Sequence, residues 1–311
     1  MCNREISDKD TETNKNIVVH DKYIENNSNH TTILNIITYG IKKIISAVCI
    51  VCIYMCFLCG CGYVTYGDSA CQDEELPEII IGSDIHPPFN YIDSDGNPTG
   101  IDVELAREAF RRIGYKVVFV NISWDNKKNL LANHDIDCVW GSFSMNGRED
   151  EYRWAGPYMK SRIVVAVSTE SNIYTLKDLS GKTVAVQAAT KPEEMFLNRT
   201  DDRIPKVRSL LAMRNRELTY PMLSKGYADA LAVNEVIVNQ YMKDYNIRFR
   251  ILDEALVTVG LGVAFDKNDM RGIDIKLKDT LIKMHNDGTD KEILEKYVED
   301  TDEYLEVETY E

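Results

Sequence analysis

Cysteines are the first residues of this 311-residue chain whose spacing could support chemistry. Six of the eight lie within the first 61 residues, and the pairs Cys49/Cys52 and Cys56/Cys59 have the two-residue spacing of zinc ligands. Their neighbours are apolar and offer neither polar groups to orient a metal ligand nor a folded domain. The pattern therefore favours small apolar residues of a membrane segment, and we predict neither a metal site nor a cofactor.

Arg148 is suited to bind a small carboxylate. It follows a predicted strand, Ile136–Trp140, after a short serine-rich loop. Its planar guanidinium can hold a carboxylate through two parallel, charge-assisted hydrogen bonds. The alternative is a surface arginine that balances charge in an acidic protein.

A second feature suited to an anion lies in the segment 187–193, which joins a predicted strand to a helix. Thr190 and Glu193 have the spacing of a capping box, and the free amides at a helix start attract negative charge. An ordinary capped helix would show the same pattern, so both interpretations stay open.

The histidines and glycines do not form a catalytic pattern. His20 and His30 precede the apolar segment, His134 lies in a predicted turn and His285 in a predicted helix. No glycine-rich loop ends in Lys-Ser or Lys-Thr, as a phosphate-binding loop would. We therefore predict that the protein is not an enzyme. An enzyme that uses Glu235 as a general acid is the alternative.

The charge of the chain argues against nucleic-acid binding. It has 36 Lys and Arg against 50 Asp and Glu, a net charge of -14, which repels phosphates. Residues 1–60 carry six basic and six acidic side chains, so the excess belongs to the remainder.

An apolar segment, Ile44–Leu58, has no charged residue in fifteen positions and follows Lys42 and Lys43. It is shorter than the ~20 residues of a membrane-spanning helix but fits a secretory signal. The tetrapeptide Leu58-Cys59-Gly60-Cys61 resembles the lipobox of bacterial lipoproteins and nominates Cys61 for lipidation. An uncleaved anchor is the alternative. Both interpretations predict an exported bacterial protein on the outer face of the cytoplasmic membrane.

Strands and helices alternate between Glu78 and Val298, which predicts an α/β fold with mainly parallel sheets. A helix is predicted from about Asp102, its N-cap, to Ile113, with Gly114 as its stop. Seven of the fourteen residues from Val298 to Glu311 are acidic, which predicts a solvated, frayed tail. The other predicted strands are Tyr115–Val120, Ile136–Trp140, Ile163–Val167, Thr183–Val186, Ala228–Ala232 and Val257–Phe265.

The order of short motifs over about 220 residues resembles the family 3 extracellular solute-binding proteins, the amino-acid receptors of ABC importers. The motifs that carry the resemblance are Gly82–Tyr91, Asp95-Gly96, Gly100–Ala106, Trp124, Asp135–Asp137, Ser142–Met145 with Arg148, Gly156–Tyr158, Leu176–Leu179, Gly181-Lys182, Gly226–Ala230 and Asp287–Thr289.

The resemblance implies a type II periplasmic-binding fold with two lobes, a two-strand hinge and a central ligand cleft. Residues 1–60 would be the extension and signal, and 61–77 a tether. Residues 78–164 and 256–298 would form lobe 1, and 165–255 lobe 2, followed by the acidic tail 299–311. The implied partners are a small amino acid or related carboxylate, an ABC permease and the membrane, for a protein that acts as a monomer. A signalling receptor is one alternative, although residues 1–41 are too short and polar to fold as a signalling domain. A small dehydratase is the other, since a few members of this fold are dehydratases.

The resemblance also implies the ligand residues. Arg148 matches the carboxylate-binding arginine, aided by Ser142 and Ser144, and Thr190 would complete that site from lobe 2. His86 and Trp124 match aromatic positions around the ligand side chain, and Asp84 lies near its polar end. The ammonium-binding aspartate of the family falls on Asn234. Either Glu235 supplies the missing charge, or the ligand is not an ordinary α-amino acid.

Overall fold

The computed structural model describes residues 76–305. The segment Ile44–Leu58 and Cys61 lie outside them. None of the helices in the described part has the length and apolar character that crossing a bilayer requires. Cys138, which lies in the described part, is buried and unpaired.

Eleven strands are formed within residues 76–305. They are β1 Glu78–Ser83, β2 Tyr91–Ile92, β3 Pro98–Thr99, β4 Lys116–Asn121, β5 Cys138–Ser144, β6 Arg153–Ser168, β7 Thr183–Gln187, β8 Ser209–Met213, β9 Ala230–Asn234, β10 Phe249–Ile251 and β11 Val257–Phe265. The α-helices are α1 Ile101–Arg112, α2 Lys127–Ala132, α3 Lys191–Asn198, α4 Thr219–Ser224, α5 Glu235–Tyr245, α6 Ile273–Asn286, α7 Thr289–Leu294 and α8 Thr301–Leu305.

Nine strands form one sheet in the order β4-β1-β5-β11-β6-β9-β7-β8, with β10 also paired to β6. The pairs β1/β4, β1/β5, β7/β8 and β7/β9 are parallel. The central pairs β5/β11, β11/β6 and β6/β9 are antiparallel. The prediction of mainly parallel sheets was therefore right for the flanks and wrong for the centre, because only Ile163–Val167 of the long strand β6 was predicted and its antiparallel pairing with β11 was missed.

The long strand β6 changes partners along its length. Residues from Arg153 to Ile163 pair with β11, and residues from Ile163 to Val167 pair with β9. The strands β7 to β10 all lie between residues 165 and 255. We keep the names lobe 1 and lobe 2 for the ranges given above, whose boundaries remain a prediction.

Helix α1 shows how the chain positions the site. It starts one residue earlier than predicted, with Gly100 as its N-cap at φ 120°. A Cβ at Gly100 would lie 2.4 Å from the carbonyl oxygen of Phe89, so this position requires glycine. The prediction that Asp102 is the N-cap was wrong. Its side chain is fully buried and turns toward β5 and β6.

The C-terminal segment also differs from the prediction. Residues Thr301–Leu305 form helix α8 instead of a frayed tail, and both end residues of that helix are buried. The helix packs against β6. Acidic composition indicated a solvated segment, but Thr301 and Leu305 are spaced by four residues and lie on one helix face.

Candidate functional site

A cavity lies at the carboxyl ends of β5, β7 and β9, where an open α/β sheet leaves backbone groups free. Both lobes contribute to it, and β6 and β11 form part of its wall. Its lining residues are Trp124, Ser142, Phe143, Ser144, Arg148, Ile163, Gln187, Thr190, Lys191, Pro192, Arg216, Thr219, Leu231, Ala232, Val233, Asn234, Val259 and Leu261.

Arg148 is 9% exposed and follows β5 of lobe 1. Its Nη2 donates to Glu194 Oε2 at 2.8 Å, and its Nη1 lies 3.4 Å from the carbonyl oxygen of Ser144. The guanidinium also lies 5.6 Å from the centre of the Phe143 ring. Since Glu194 belongs to α3 of lobe 2, the arginine already binds a carboxylate across the cleft.

Asp102 holds the end of β5 in place. Ser142 to Ser144, predicted as a serine-rich loop after a strand that ends at Trp140, belong to this strand. Ser142 has a left-handed backbone, φ 49°, and its amide donates to Asp102 Oδ2 at 2.8 Å. Tyr158 donates its hydroxyl to Asp102 Oδ1 at 2.7 Å. Burial raises the pKa of Asp102 to about 6, although His86, Tyr158 and the Ser142 amide oppose this. The Asp102 carboxylate thus fixes the backbone of Ser142, although burying its negative charge costs free energy.

We expect this cost to appear as a pH dependence of stability. The pKa of Asp102 rises from 3.8 to about 6 on folding, so the folded state binds more protons between these values and loses stability as the pH rises. Relative to Asp102→Asn, the wild type should lose about 2 kcal/mol of unfolding free energy between pH 4 and pH 6, out of about 3 kcal/mol over the whole titration. Urea unfolding at several pH values measures the difference, with Asp95→Asn on an exposed turn as control. A difference that stays constant with pH would contradict this expectation.

Thr190 lines the cavity as the N-cap of α3, but the predicted capping box is not formed. The Thr190 hydroxyl donates to the carbonyl oxygen of Gln187 at 2.6 Å, and Glu193 accepts from the amide of Ala189. The capping prediction was wrong because Ala189, at φ 59°, turns the chain one residue earlier. The Thr190 side chain caps no α3 amide.

The two predicted aromatic positions differ in their location. Trp124 lines the cavity and meets Phe143 edge to face at 5.2 Å. His86 is fully buried, stacks on Phe89 and does not line the cavity. Its Nδ1 lies 2.8 Å from the carbonyl oxygen of Asp84. The ring therefore contacts the backbone at Asp84 and not the cavity.

Asp84 joins the two lobes behind the cavity. Its Oδ2 accepts from Gln187 Nε2 at 2.6 Å and lies 3.4 Å from Arg216 Nη2. Burial alone would raise the pKa of Asp84, but Arg216, His86 and Gln187 outweigh it and hold that pKa well below its usual range. Asp84 is therefore an anion bound to lobe 2 side chains.

The amide of Asn234 is used within the protein. Its Oδ1 accepts from the amide of Val236 and caps α5, while Nδ2 donates to Ser161 Oγ at 2.7 Å and lies 3.5 Å from Ser142 Oγ. Glu235 does not line the cavity. Its Oε1 accepts from Arg162 Nη1 at 2.9 Å.

Four residues at or near the cavity were missed by sequence reasoning. Gln187, Lys191 and Arg216 line it from lobe 2, and Gln187 and Arg216 reach Asp84. Lys127 is 6% exposed, lies 4.7 Å above the Trp124 ring and donates to the carbonyl oxygen of Ala189 at 3.1 Å. Burial, reinforced by Arg148, lowers the pKa of Lys127 to about 8. The one sequence pattern that could have indicated any of these residues was the position of Gln187, directly after the predicted strand Thr183–Val186.

Residues 79–300 match the sequence profile of the bacterial extracellular solute-binding proteins, family 3. The chain belongs to this family. The L-cystine-binding protein TcyJ of Escherichia coli K12 is 27% identical over 228 residues, 72% of this chain and 84% of the relative. The histidine-binding periplasmic protein of the same strain is 30% identical over 234 residues, 71% and 88% of the two chains.

Solved structures agree with this assignment. An ABC uptake transporter substrate-binding protein from Streptococcus pneumoniae, with bound histidine, superposes with a TM-score of 0.66 at 25% identity. It covers 72% of this chain and 93% of its own. The ancestral amino acid-binding protein AncCDT-1, described as a precursor of cyclohexadienyl dehydratase, gives 0.63 at 25% identity, covering 71% and 95%. This family 3 protein thus has the predicted type II periplasmic-binding fold.

The predicted ligand residues of this family 3 protein fall into two groups. Those that line the cavity are Trp124, Ser142, Ser144, Arg148, Thr190 and Asn234. Asp84 and His86 lie behind it, and Glu235 is turned to Arg162. We therefore propose direct ligand contacts only for the residues that line the cavity.

Proposed function

We propose that this protein is an extracytoplasmic receptor that captures a small carboxylate-bearing solute, an amino acid or a close relative of one, and delivers it to an ABC importer. The observation that carries the proposal is Arg148, a buried arginine on lobe 1 that binds the carboxylate of Glu194 from lobe 2. A solute carboxylate at the same guanidinium would join the lobes in the same way, so capture and closure would be one event.

Mass spectrometry of solutes that co-purify with the native protein tests this proposal. We expect an unmodified small carboxylate that remains unchanged after prolonged incubation with the protein. Conversion of the solute would instead support a dehydratase, the class named for the descendants of AncCDT-1. Glu235, the general acid that the dehydratase alternative names, is paired with Arg162 and lies outside the cavity lining.

We also propose that the exported chain is a monomer held at the outer face of the cytoplasmic membrane by lipid on Cys61. The apolar segment Ile44–Leu58 and the lipobox-like tetrapeptide that runs from Leu58 to Cys61 support this anchor. Cys61→Ser should release the protein from membranes or leave an unprocessed precursor, whereas Cys59→Ser should do neither. Membrane fractionation with mass analysis of the N-terminus distinguishes these outcomes. A mature protein that still carries Lys42 and Lys43 would identify an uncleaved anchor instead.

A further inference from the structure

The cavity lining is cationic. Arg148, Lys191 and Arg216 all belong to it, and none of the lining residues in the described part of the chain is an aspartate or a glutamate. Arg148 follows β5 of lobe 1, Lys191 begins α3 of lobe 2, and Arg216 begins a short 3-10 helix, Arg216–Leu218, of lobe 2. Cations therefore reach the cavity from both lobes and from two separate loops of lobe 2.

The carboxylates behind this lining are shared or weakly engaged. Glu194 accepts from both Arg148, at 2.8 Å, and Lys191, at 2.6 Å. Asp84 meets Arg216 through one nitrogen at 3.4 Å and meets Gln187 at 2.6 Å. Glu149 and Glu217 add negative charge near Lys191 and Arg216, and the contact between Asp84 and Arg216 is the longest of the three. The charged side chains that line the cleft itself are nevertheless all cations, which favours an anionic ligand.

Buried hydrogen-bond donors of the lining point to the same ligand chemistry. Arg216 Nε, Trp124 Nε1 and the hydroxyl of Ser144 are buried and have no protein partner in the described part of the chain, while Gln187 Oε1 is the corresponding acceptor. A buried donor without an acceptor costs free energy, so a ligand rich in acceptor oxygens would satisfy this lining. Such unpartnered donors lie on both lobes.

Within residues 76–305, no side chain of the same wall offers an ammonium a free negative charge. The amide oxygen of Asn234 caps α5 and carries no charge, and its amide nitrogen donates to Ser161. Glu235, the neighbouring acid, is paired with Arg162. An ammonium beside Asn234 would therefore lose water without gaining a counter-charge.

We infer that the captured solute is a small dicarboxylate, with one carboxylate bound at Arg148 and the second at Arg216. This inference rests on the proposed function and names the class of solute that this site takes. The second carboxylate would accept from the free Nε of Arg216, and the first would take the acceptor place that Glu194 holds at Arg148.

Calorimetry on the full-length protein in detergent tests the inference with three five-carbon probes: glutarate, pentanoate and L-norvaline. Glutarate carries two carboxylates, pentanoate one, and norvaline one carboxylate and an ammonium. We expect glutarate to bind at least thirtyfold more tightly than either of the others. Glutarate affinity within threefold of pentanoate, or weaker than norvaline, would overturn the inference without any variant being needed.

Arg216→Gln then assigns the second carboxylate. It should reduce the advantage of glutarate over pentanoate to less than about threefold, whereas Arg208→Gln, which removes a 68% exposed arginine of the same lobe, should preserve it. If folded Arg216→Gln still binds glutarate much more tightly than pentanoate, the second carboxylate does not bind at Arg216. If pentanoate or norvaline binds through Arg148 and glutarate has no advantage, the inference fails and the receptor stands. If no carboxylate binds in an Arg148-dependent way, both fail.

Discussion

Replacing Arg148 with alanine is expected to weaken the binding of any carboxylate ligand by about 2 kcal/mol or more, roughly thirtyfold. The guanidinium is 9% exposed, and its Nη2 bonds a carboxylate at 2.8 Å across the cleft. Its removal takes two charge-assisted donors from a partly desolvated site, and no other arginine of lobe 1 lines the cavity in the described structure. Isothermal titration with the co-purified solute or with glutarate measures the loss.

Two further variants give this measurement its controls. Arg148→Lys keeps the charge but loses the planar fork, so its affinity should fall between those of the wild type and Arg148→Ala. Arg111→Ala removes a 67% exposed arginine on α1 and should leave binding unchanged. An unchanged affinity in folded Arg148→Ala would remove the arginine from the site and leave backbone amides as the carboxylate ligands.

The sequence predicted the part of the site that local patterns specify. The strand Val257–Phe265 was predicted with its observed bounds, and the ends of the strands before Arg148 and Thr190 were close enough to place both residues at one cleft. Carboxyl ends of neighbouring strands lie at one edge of a sheet, so the topology brings such loops together. The family motifs then nominated the side chains.

The rest depends on contacts between residues far apart in the chain. Gln187 and Arg216 contact Asp84, from which they are separated by 103 and 132 residues in the sequence. Neither lies in a sequence motif that predicts such a contact. The direction of individual side chains could not be predicted from the sequence either. Both Asp102 and Thr190 have the residue type of an N-cap, yet each uses its side chain for another partner, because tertiary donors and acceptors compete with local caps.

Asn234→Asp is expected to favour a ligand with an ammonium. Aspartate has nearly the same shape, can still accept from the amide of Val236, and can take hydrogen bonds from the hydroxyls of Ser161 and Ser142. The substitution therefore adds a negative charge to the cavity wall with little change in packing. L-Norvaline should bind about 1–2 kcal/mol more tightly, roughly five- to thirtyfold, because a carboxylate now faces its ammonium in a medium of low effective dielectric. Pentanoate and glutarate should bind less tightly, because both lack an ammonium and would be repelled.

Glu235→Gln supplies the comparison for this prediction. Because Glu235 is paired with Arg162 at 2.9 Å and lies outside the cavity, its neutralisation should change the affinity for norvaline less than twofold. A loss of more than tenfold, together with little gain from Asn234→Asp, would identify Glu235 as the counter-charge, since two close carboxylates repel. If neither substitution changes norvaline binding, no ammonium lies beside this loop. The amino-acid part of the proposed function would then lose its chemical support, while capture of a carboxylate by Arg148 would still hold.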